Sequence, residues 1–207
     1  MKLLRGHKYF FDRLNLISNS VIFITSDNGG DVNGSVGSLR GRKQQTFEGG
    51  QRVPMIVFAP NHITQNRVSD DLSTNLDIVP TVMDLLDIDP PSDRIIDGKS
   101  IWSTLVNDDP SPHPYVFYNA SGSGKFEGVR DQNFKYHEGG IGTAMPFMGI
   151  IGMTPPLKPQ LTDIKLDNES HNLIKKYPDR AALLKSILDG KRNEVSNNRR
   201  GWLSTPD

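Results

Sequence analysis

The sequence has no cysteine among its 207 residues. That excludes a disulfide framework, thiolate metal sites and a thiol nucleophile within these residues. It says little about compartment, because exported proteins can also lack disulfides. Net charge is missing too: 24 Lys and Arg offset 24 Asp and Glu, with 5 His neutral. A balanced chain is a poor candidate for nucleic-acid binding driven by bulk phosphate attraction, although a local basic patch stays open. No apolar run approaches the ~20 residues that span a bilayer. The opening Met-Lys-Leu-Leu resembles the start of an export signal, but Arg5, Gly6, His7 and Lys8 interrupt any apolar core. As written, the chain reads as soluble and unexported.

What the sequence has in excess is glycine (19) and proline (14), together above the usual ~12% share. Loops are therefore expected, and one stands out. Residues 27–50 hold seven glycines and few large apolar side chains, and a long ordered loop in a compact domain is usually functional. It lies between two β-branched and apolar runs, residues 21–25 and 54–59, which read as strands buried on both faces. Residues 74–86 read as a helix, with Pro80 in its first turn and Val82, Leu85 and Leu86 as an apolar stripe. Residues 115–118, 126–130 and 134–137 are short strand-like runs, and residues 139–159 read as irregular. Residues 178–189 form a second helix, with Ala181, Leu184 and Leu188 on one face and Gly190 as its stop. The polar tail from residue 191 is expected to fray. No internal repeat is evident. Strand, functional loop, strand and helix describe an α/β architecture, in which ligands sit beyond the carboxyl ends of strands.

Asp27 and Asn28 fall just past the first strand. They offer a carboxylate and an amide oxygen side by side, the ligand type that hard divalent cations want, but calcium takes six to eight such oxygens. The same Asp-Asn-Gly-Gly also reads as a strand-ending Asx turn. Further along the loop, Arg40, Arg42 and Lys43 put three cations in four positions between glycines. They suit an oxyanion or a solvated charged loop.

Taken together, these segments resemble the type I, formylglycine-dependent sulfatases of the alkaline-phosphatase superfamily. The resemblance rests on Val-Ile-Phe-Ile-Thr-Ser-Asp-Asn-Gly-Gly at 21–30 and Leu-Arg-Gly-Arg-Lys at 39–43. Thr-Phe-Glu-Gly-Gly-Gln-Arg-Val-Pro at 46–54 continues it, with Ser-Thr-Asn-Leu-Asp-Ile-Val-Pro-Thr at 73–81. Weaker echoes follow at 90–98, 129–136 and 161–173, so the likeness covers about residues 11–188. The wording at 37–52 and 90–98 is nearest to arylsulfatase A and N-acetylgalactosamine-6-sulfatase-like members. The resemblance implies an alkaline-phosphatase-like α/β fold. Residues 1–110 would be the C-terminal part of the catalytic domain, and residues 111–207 a small α+β subdomain. It implies that Asp27 and Asn28 are two ligands of an active-site calcium and that Lys43 contacts the sulfate group. Arg40, Glu48 and Arg52 would scaffold the loop, with an Arg–Glu pair shaping it.

The family's nucleophile is a formylglycine made within a Cys/Ser-x-Pro-Ser-Arg motif, and no such motif occurs in these residues. The family's Asp-Asp metal pair, its catalytic histidines and its second lysine are absent as well. His7, His62, His113, His137 and His171 match none of them and are assigned to surface or structural duty. The expectation is therefore the C-terminal portion of a sulfatase, inactive alone and requiring the N-terminal part of the fold. The whole enzyme would hydrolyse sulfate esters of a small molecule or glycan. No nucleic-acid partner and no membrane span are expected. Relatives are usually periplasmic, lysosomal or secreted. Two competing readings are a phosphatase or phosphonate hydrolase of the same superfamily and an inactive, truncated binding protein. In the latter, Tyr115, Phe117, Tyr118 and Phe126 would stack on sugars, although as strand residues they suit a core better.

Overall fold

The computed structural model describes residues 11, 13–31, 33–119, 125–139 and 158–198. Two antiparallel sheets organise them. The first is a ribbon of β1 (Ile22–Thr25) and β2 (Met55–Phe58), with Ile22 opposite Phe58 and Thr25 opposite Met55. The long loop between these strands carries one helical turn, α1 (Glu48–Gln51). After β2, a 3-10 turn (Asn75–Asp77) leads into α2 (Ile78–Leu85), and α3 (Trp102–Asn107) follows. The second sheet has the order β3 (Val116–Asn119), β4 (Phe126–Arg130), β5 (Phe134–His137) and β6 (Gln160–Asp163). The closing helix, α4 (Pro178–Asn197), lies against β4 and β5.

The hydrophobic core belongs to the second sheet. Val129, Tyr136, Leu161, Ala181, Leu184 and Leu188 form one buried cluster, and Tyr115, Phe117, Phe126 and Phe134 pack against it. Phe117 and Phe126 meet edge to face at 5.9 Å. These aromatics pack onto the core, as their place in strands favoured. The helix expected over residues 74–86 begins as the 3-10 turn and becomes α-helical only at Ile78. The carboxylate of Asp77 accepts the backbone N–H of Thr74 at 2.7 Å, tying down the helix entry.

Three expectations are corrected. β1 and β2 are not buried on both faces: most of their residues are half-exposed and Ile56 is 52% exposed. A two-stranded ribbon has neighbours on too few sides to cover both faces. Gly190 does not stop the last helix, which runs on to Asn197. Side chains just past the glycine anchor that extension: Lys191 pairs with Asp97 at 2.8 Å, and the Arg192 guanidinium donates to the Phe126 carbonyl at 2.8 Å and to Glu138 at 2.6 Å. Finally, α3 and β6 were not anticipated as elements. Most of the segment read as irregular, residues 140–157, lies outside the described residues, as do 199–207 of the tail.

Candidate functional site

The site builds from the end of β1. Thr25 donates its hydroxyl to the Asn75 side-chain oxygen at 3.1 Å, and the Asn75 amide donates to the Ser26 carbonyl at 2.9 Å. Ser26 Oγ donates to the Asn28 carbonyl at 3.0 Å, and the Asn28 N–H donates to Asp27 Oδ1 at 3.0 Å. This is a side-chain-closed turn that still leaves the Asp27 carboxylate exposed and Asn28 half-buried. The turn reading and the ligand reading of Asp-Asn-Gly are thus compatible.

Glycines join that turn to the cationic stretch of the loop. A Cβ on Gly29 would lie 1.9 Å from the Gly49 carbonyl oxygen, and one on Gly50 would lie 2.3 Å from the carbonyl oxygens of Arg42 and Gln45. Backbones approach this closely only where no side chain intervenes. The approach is used: Gly29 N–H donates to the Gly50 carbonyl at 3.0 Å, and Lys43 N–H donates to the Gly30 carbonyl at 3.0 Å. Lys43 is therefore tied by its own backbone to the residue two places after Asn28.

Lys43 rides on a tight turn. The Gln45 N–H donates to the Arg42 carbonyl at 2.9 Å, and Gln44 takes a left-handed φ of 76°. That is the position where such turns prefer glycine, so surrounding bonds must hold it. Buried Gln45 does so, its side-chain oxygen accepting the Arg42 N–H at 2.8 Å. The Arg42 guanidinium is committed to the carbonyls of Asp31 and Gly34, both at 2.7 Å. Lys43 is half-buried, and its ammonium has no hydrogen-bond or ion-pair partner among the described residues.

Beneath this turn lies a buried polar network. Glu48 accepts from Tyr118 Oη at 2.6 Å, Arg130 Nη1 at 2.9 Å and Lys135 Nζ at 3.0 Å. Lys135 Nζ also reaches Glu169 at 2.9 Å and the Thr46 carbonyl at 2.7 Å. Burial pushes the Glu48 carboxyl up, but Lys135, Arg130 and the donated hydrogen bonds outweigh it and hold it at about 2. Glu169 shares Lys135 but lacks the arginine; burial dominates there and raises its pKa. Desolvation, reinforced by the Glu48 charge, raises the Tyr118 phenol well above its ordinary value. The Arg–Glu pair expected within the loop is not formed: Glu48 pairs with Arg130 of the second sheet. Arg40 instead donates to the Glu169 carbonyl and stacks over Phe47 at 4.2 Å, and the Arg52 side chain is exposed.

The described histidines are structural or superficial. His113 donates to the buried Asp77 at 2.8 Å. His62 tilts against Trp102, and exposed His171 caps onto Asp167. His137 is buried, accepts the Gly139 N–H through Nδ1 at 2.9 Å and is hydrogen-bonded to the Thr46 hydroxyl through Nε2. Burial, then the charges of Lys135 and Arg40, lower its pKa to about 3, so the ring is neutral and Nε2 carries the proton. His7 lies outside the described residues.

As a cation site, Asp27 and Asn28 have the right chemistry, oxygen donors, but too few of them. No group of three His, Cys, Asp or Glu side chains comes together among the described residues. An open cleft of about 870 Å³ between β2, the segment after it and β3 reaches Asp27 and Arg52, but neither Asn28 nor Lys43 lines it. No described helix is long and apolar enough to cross a membrane.

The sequence nominated Asp27, Asn28 and Lys43 within one loop, and the structure links them through backbone hydrogen bonds; the network of Lys135, Arg130, Tyr118, Glu169 and Gln45 was not anticipated. A signal was available for one of them. Lys135 lies inside the run Phe-Lys-Tyr-His, and a lysine in a strand with both faces covered requires buried carboxylates.

Residues 8–88 match the family model described as Sulfatase. The chain is 36% identical over 114 residues to mouse N-acetylgalactosamine-6-sulfatase, which covers 52% of this chain and 22% of that protein. It is 38% identical over 109 residues to an arylsulfatase of Hemicentrotus pulcherrimus, covering 50% and 20%. Among solved structures, the PsFucS1 sulfatase from Pseudoalteromonas sp. aligns with TM-score 0.78 at 21% identity, over 94% of this chain and 41% of the other. A protein solved with its substrate D-glucosamine-2-N,6-O-disulfate aligns with TM-score 0.67 at 24% identity, over 93% and 38%. The structural likenesses establish the fold as that of the sulfatases. The match spans about a fifth of the curated relatives' length and about two-fifths of the solved chains.

Proposed function

We propose, from the match of residues 8–88 to the Sulfatase family model, that this chain supplies the sulfate-holding loop and the C-terminal sheet of a sulfuric ester hydrolase. The observation that carries the proposal is the position of Lys43. Its ammonium has no partner among the described residues, while its N–H is bonded to Gly30, beside the Asp27–Asn28 turn. A lysine is a compact point charge on a flexible stem, suited to a tetrahedral anion without a fork geometry. Lys43 would bind the sulfate group of a small molecule or glycan and stabilise charge as the ester bond breaks.

Asp27 and Asn28 would contribute two oxygen ligands to calcium, the remainder coming from outside these residues. When bound, that ion would act as Lewis acid and template for the sulfate oxygens. The formylglycine nucleophile would likewise come from sequence outside this chain, so these 207 residues alone are proposed to be inactive. We place the boundary between catalytic region and C-terminal subdomain near residue 110, between α3 and β3.

The test is Lys43→Ala in a full-length sulfatase that contains this segment, assayed on an aryl sulfate and the matching phosphate monoester. Loss of one charge-stabilising donor is expected to lower kcat about 10²–10³-fold, with sulfate the better substrate. Unchanged turnover would remove Lys43 from the mechanism, and a preference for phosphate would reassign the reaction.

A further inference from the structure

Outside the Lys43 turn, the most unusual side chain is Lys135. It is 1% exposed, and lysines are almost never so buried unless paired. An ammonium has three N–H donors, and Lys135 uses all three. They go to the Thr46 carbonyl at 2.7 Å, Glu48 Oε1 at 3.0 Å and Glu169 Oε1 at 2.9 Å. The ammonium also lies 3.8 Å over the Tyr118 ring. Nothing remains with which to meet a substrate.

Two of those three partners belong to the loop that bears Lys43. Glu169 adds to the grip, since its other carboxylate oxygen accepts the Glu48 N–H at 2.7 Å and its carbonyl accepts from Arg40. The loop is therefore held at Arg40, Thr46 and Glu48 by groups of the second sheet and its β6 extension, with Lys43 at the crown between. Replacing such a buried ionic cluster with apolar packing often costs no stability; its best-attested use is to select one geometry. A left-handed Gln44 next to Lys43 needs that selection, because strained backbone persists only where its surroundings over-determine it.

We propose that Lys135 is a positioning residue for Lys43, docking the anion-binding loop onto the C-terminal sheet from β5. Its consequence for catalysis rests on the Lys43 reading above; the docking itself does not.

The experiment measures amide hydrogen exchange on the 207-residue chain, with urea midpoints, for wild type, Lys135→Met and the pair Lys135→Met/Glu169→Gln. The single change leaves Glu48 with Arg130 and leaves the buried Glu169 carboxylate without its lysine. The pair restores charge balance and leaves an amide oxygen at position 169 to accept the Glu48 N–H. Expected for Lys135→Met is a more than tenfold loss of protection over residues 42–50 and a lower midpoint. The double variant is expected to recover the midpoint but not the loop protection. If both recover together, Lys135 serves only charge balance and the proposal fails. It fails equally if Lys135→Met leaves loop exchange unchanged. Should the single variant not fold, the double variant decides; should neither fold, Lys135 is a determinant of the whole fold and the narrower role is overturned. No sulfate ester enters these measurements, so their failure leaves the Lys43 reading standing, and a failed Lys43→Ala assay leaves the docking standing.

Discussion

The two sheets are held together by different physics. The second sheet closes on a helix, and Val129, Leu161, Leu184 and Leu188 are fully buried between them. The β1–β2 ribbon has no comparable cluster among the described residues. Its Ile56 is 52% exposed, and Val79 of α2 and Leu86 at the end of that helix are 60% and 59% exposed. Yet the ribbon side carries Asp27, Asn28 and Lys43. The groups proposed to bind therefore sit on the weakly packed side, and a buried polar junction of Thr46, Glu48, Lys135, Glu169 and His137 joins their loop to the strongly packed one. Hydrophobic burial gives stability without direction, whereas satisfied polar networks specify geometry.

The largest predicted effect breaks the strong side. Leu184→Ala removes a fully buried side chain from the core, and such truncations cost about 2–5 kcal/mol. The matching change Ile56→Ala removes a half-exposed one and is expected to cost well under half as much. Urea unfolding followed by helix circular dichroism compares them, and equal losses would erase the distinction. Next comes Gly29→Ala, which attacks the loop without touching the core. The added Cβ would lie 1.9 Å from the Gly49 carbonyl oxygen, backbone that cannot swing aside. Overpacking of this kind costs about 1–3 kcal/mol. Exchange protection should fall over residues 28–50 while the second sheet stays protected; a loss confined to the second sheet would contradict the arrangement.

Acid should open the junction before the core. The folded His137 ring titrates at about 3 against 6.5 for a free one. Between those values the unfolded chain takes up a proton that the folded chain refuses, so stability falls as pH drops through this window. Glu48 titrates at about 2 against 4.5; its contribution is complete above 4.5 and is lost as pH falls toward 2. Glu169, raised by burial, acts in the opposite sense: its contribution is complete below 4.5 and is lost as pH rises through its elevated folded value. The net expectation is a shallow decline from pH 6.5 to 4.5 and a steep one below. Urea midpoints at pH 7, 5.5 and 3.5 test this, and His137→Gln should flatten the upper part. A profile unchanged by that substitution would mean that the ring does not titrate across the junction.

Much of the fold was readable because local patterns carried it. Paired β-branched runs marked β1 and β2, and the stripe of Ala181, Leu184 and Leu188 marked the last helix. The loop between β1 and β2 was readable because glycine and charge were concentrated there, while the choice of Asp27, Asn28 and Lys43 within it rested on the family resemblance. What escaped was long-range. Lys135 is 87 positions from Glu48, and no local spacing reports that an ammonium and a carboxylate will share a buried site. Arg130 escaped for the same reason, so nearer arginines were expected to pair with Glu48. β6 (Gln160–Asp163) is short and mixed in polarity; it is a strand because β5 offers it an edge, a tertiary cause that propensity does not carry.

The smallest effect concerns Gly190 and sharpens the comparison from the stable side. Glycine near the end of an apolar stripe is the ordinary helix terminator, because it accepts the left-handed conformation that ends a helix. Here it stays inside α4, and the helix continues because Lys191 and Arg192 are anchored to Asp97, Glu138 and the start of β4. Tertiary anchoring has overridden a local signal whose strength is only about 1 kcal/mol. A Cβ at position 190 would meet nothing within 4 Å, so Gly190→Ala introduces no clash and removes the entropy that glycine loses on folding. The expected result is a gain of about 0.5–1 kcal/mol, read as a higher urea midpoint with no change in exchange over residues 42–50. A loss of stability would show that the helix needs a break at that point. A gain in loop protection would show that the two sides are coupled through α4 as well as through the Lys135 junction.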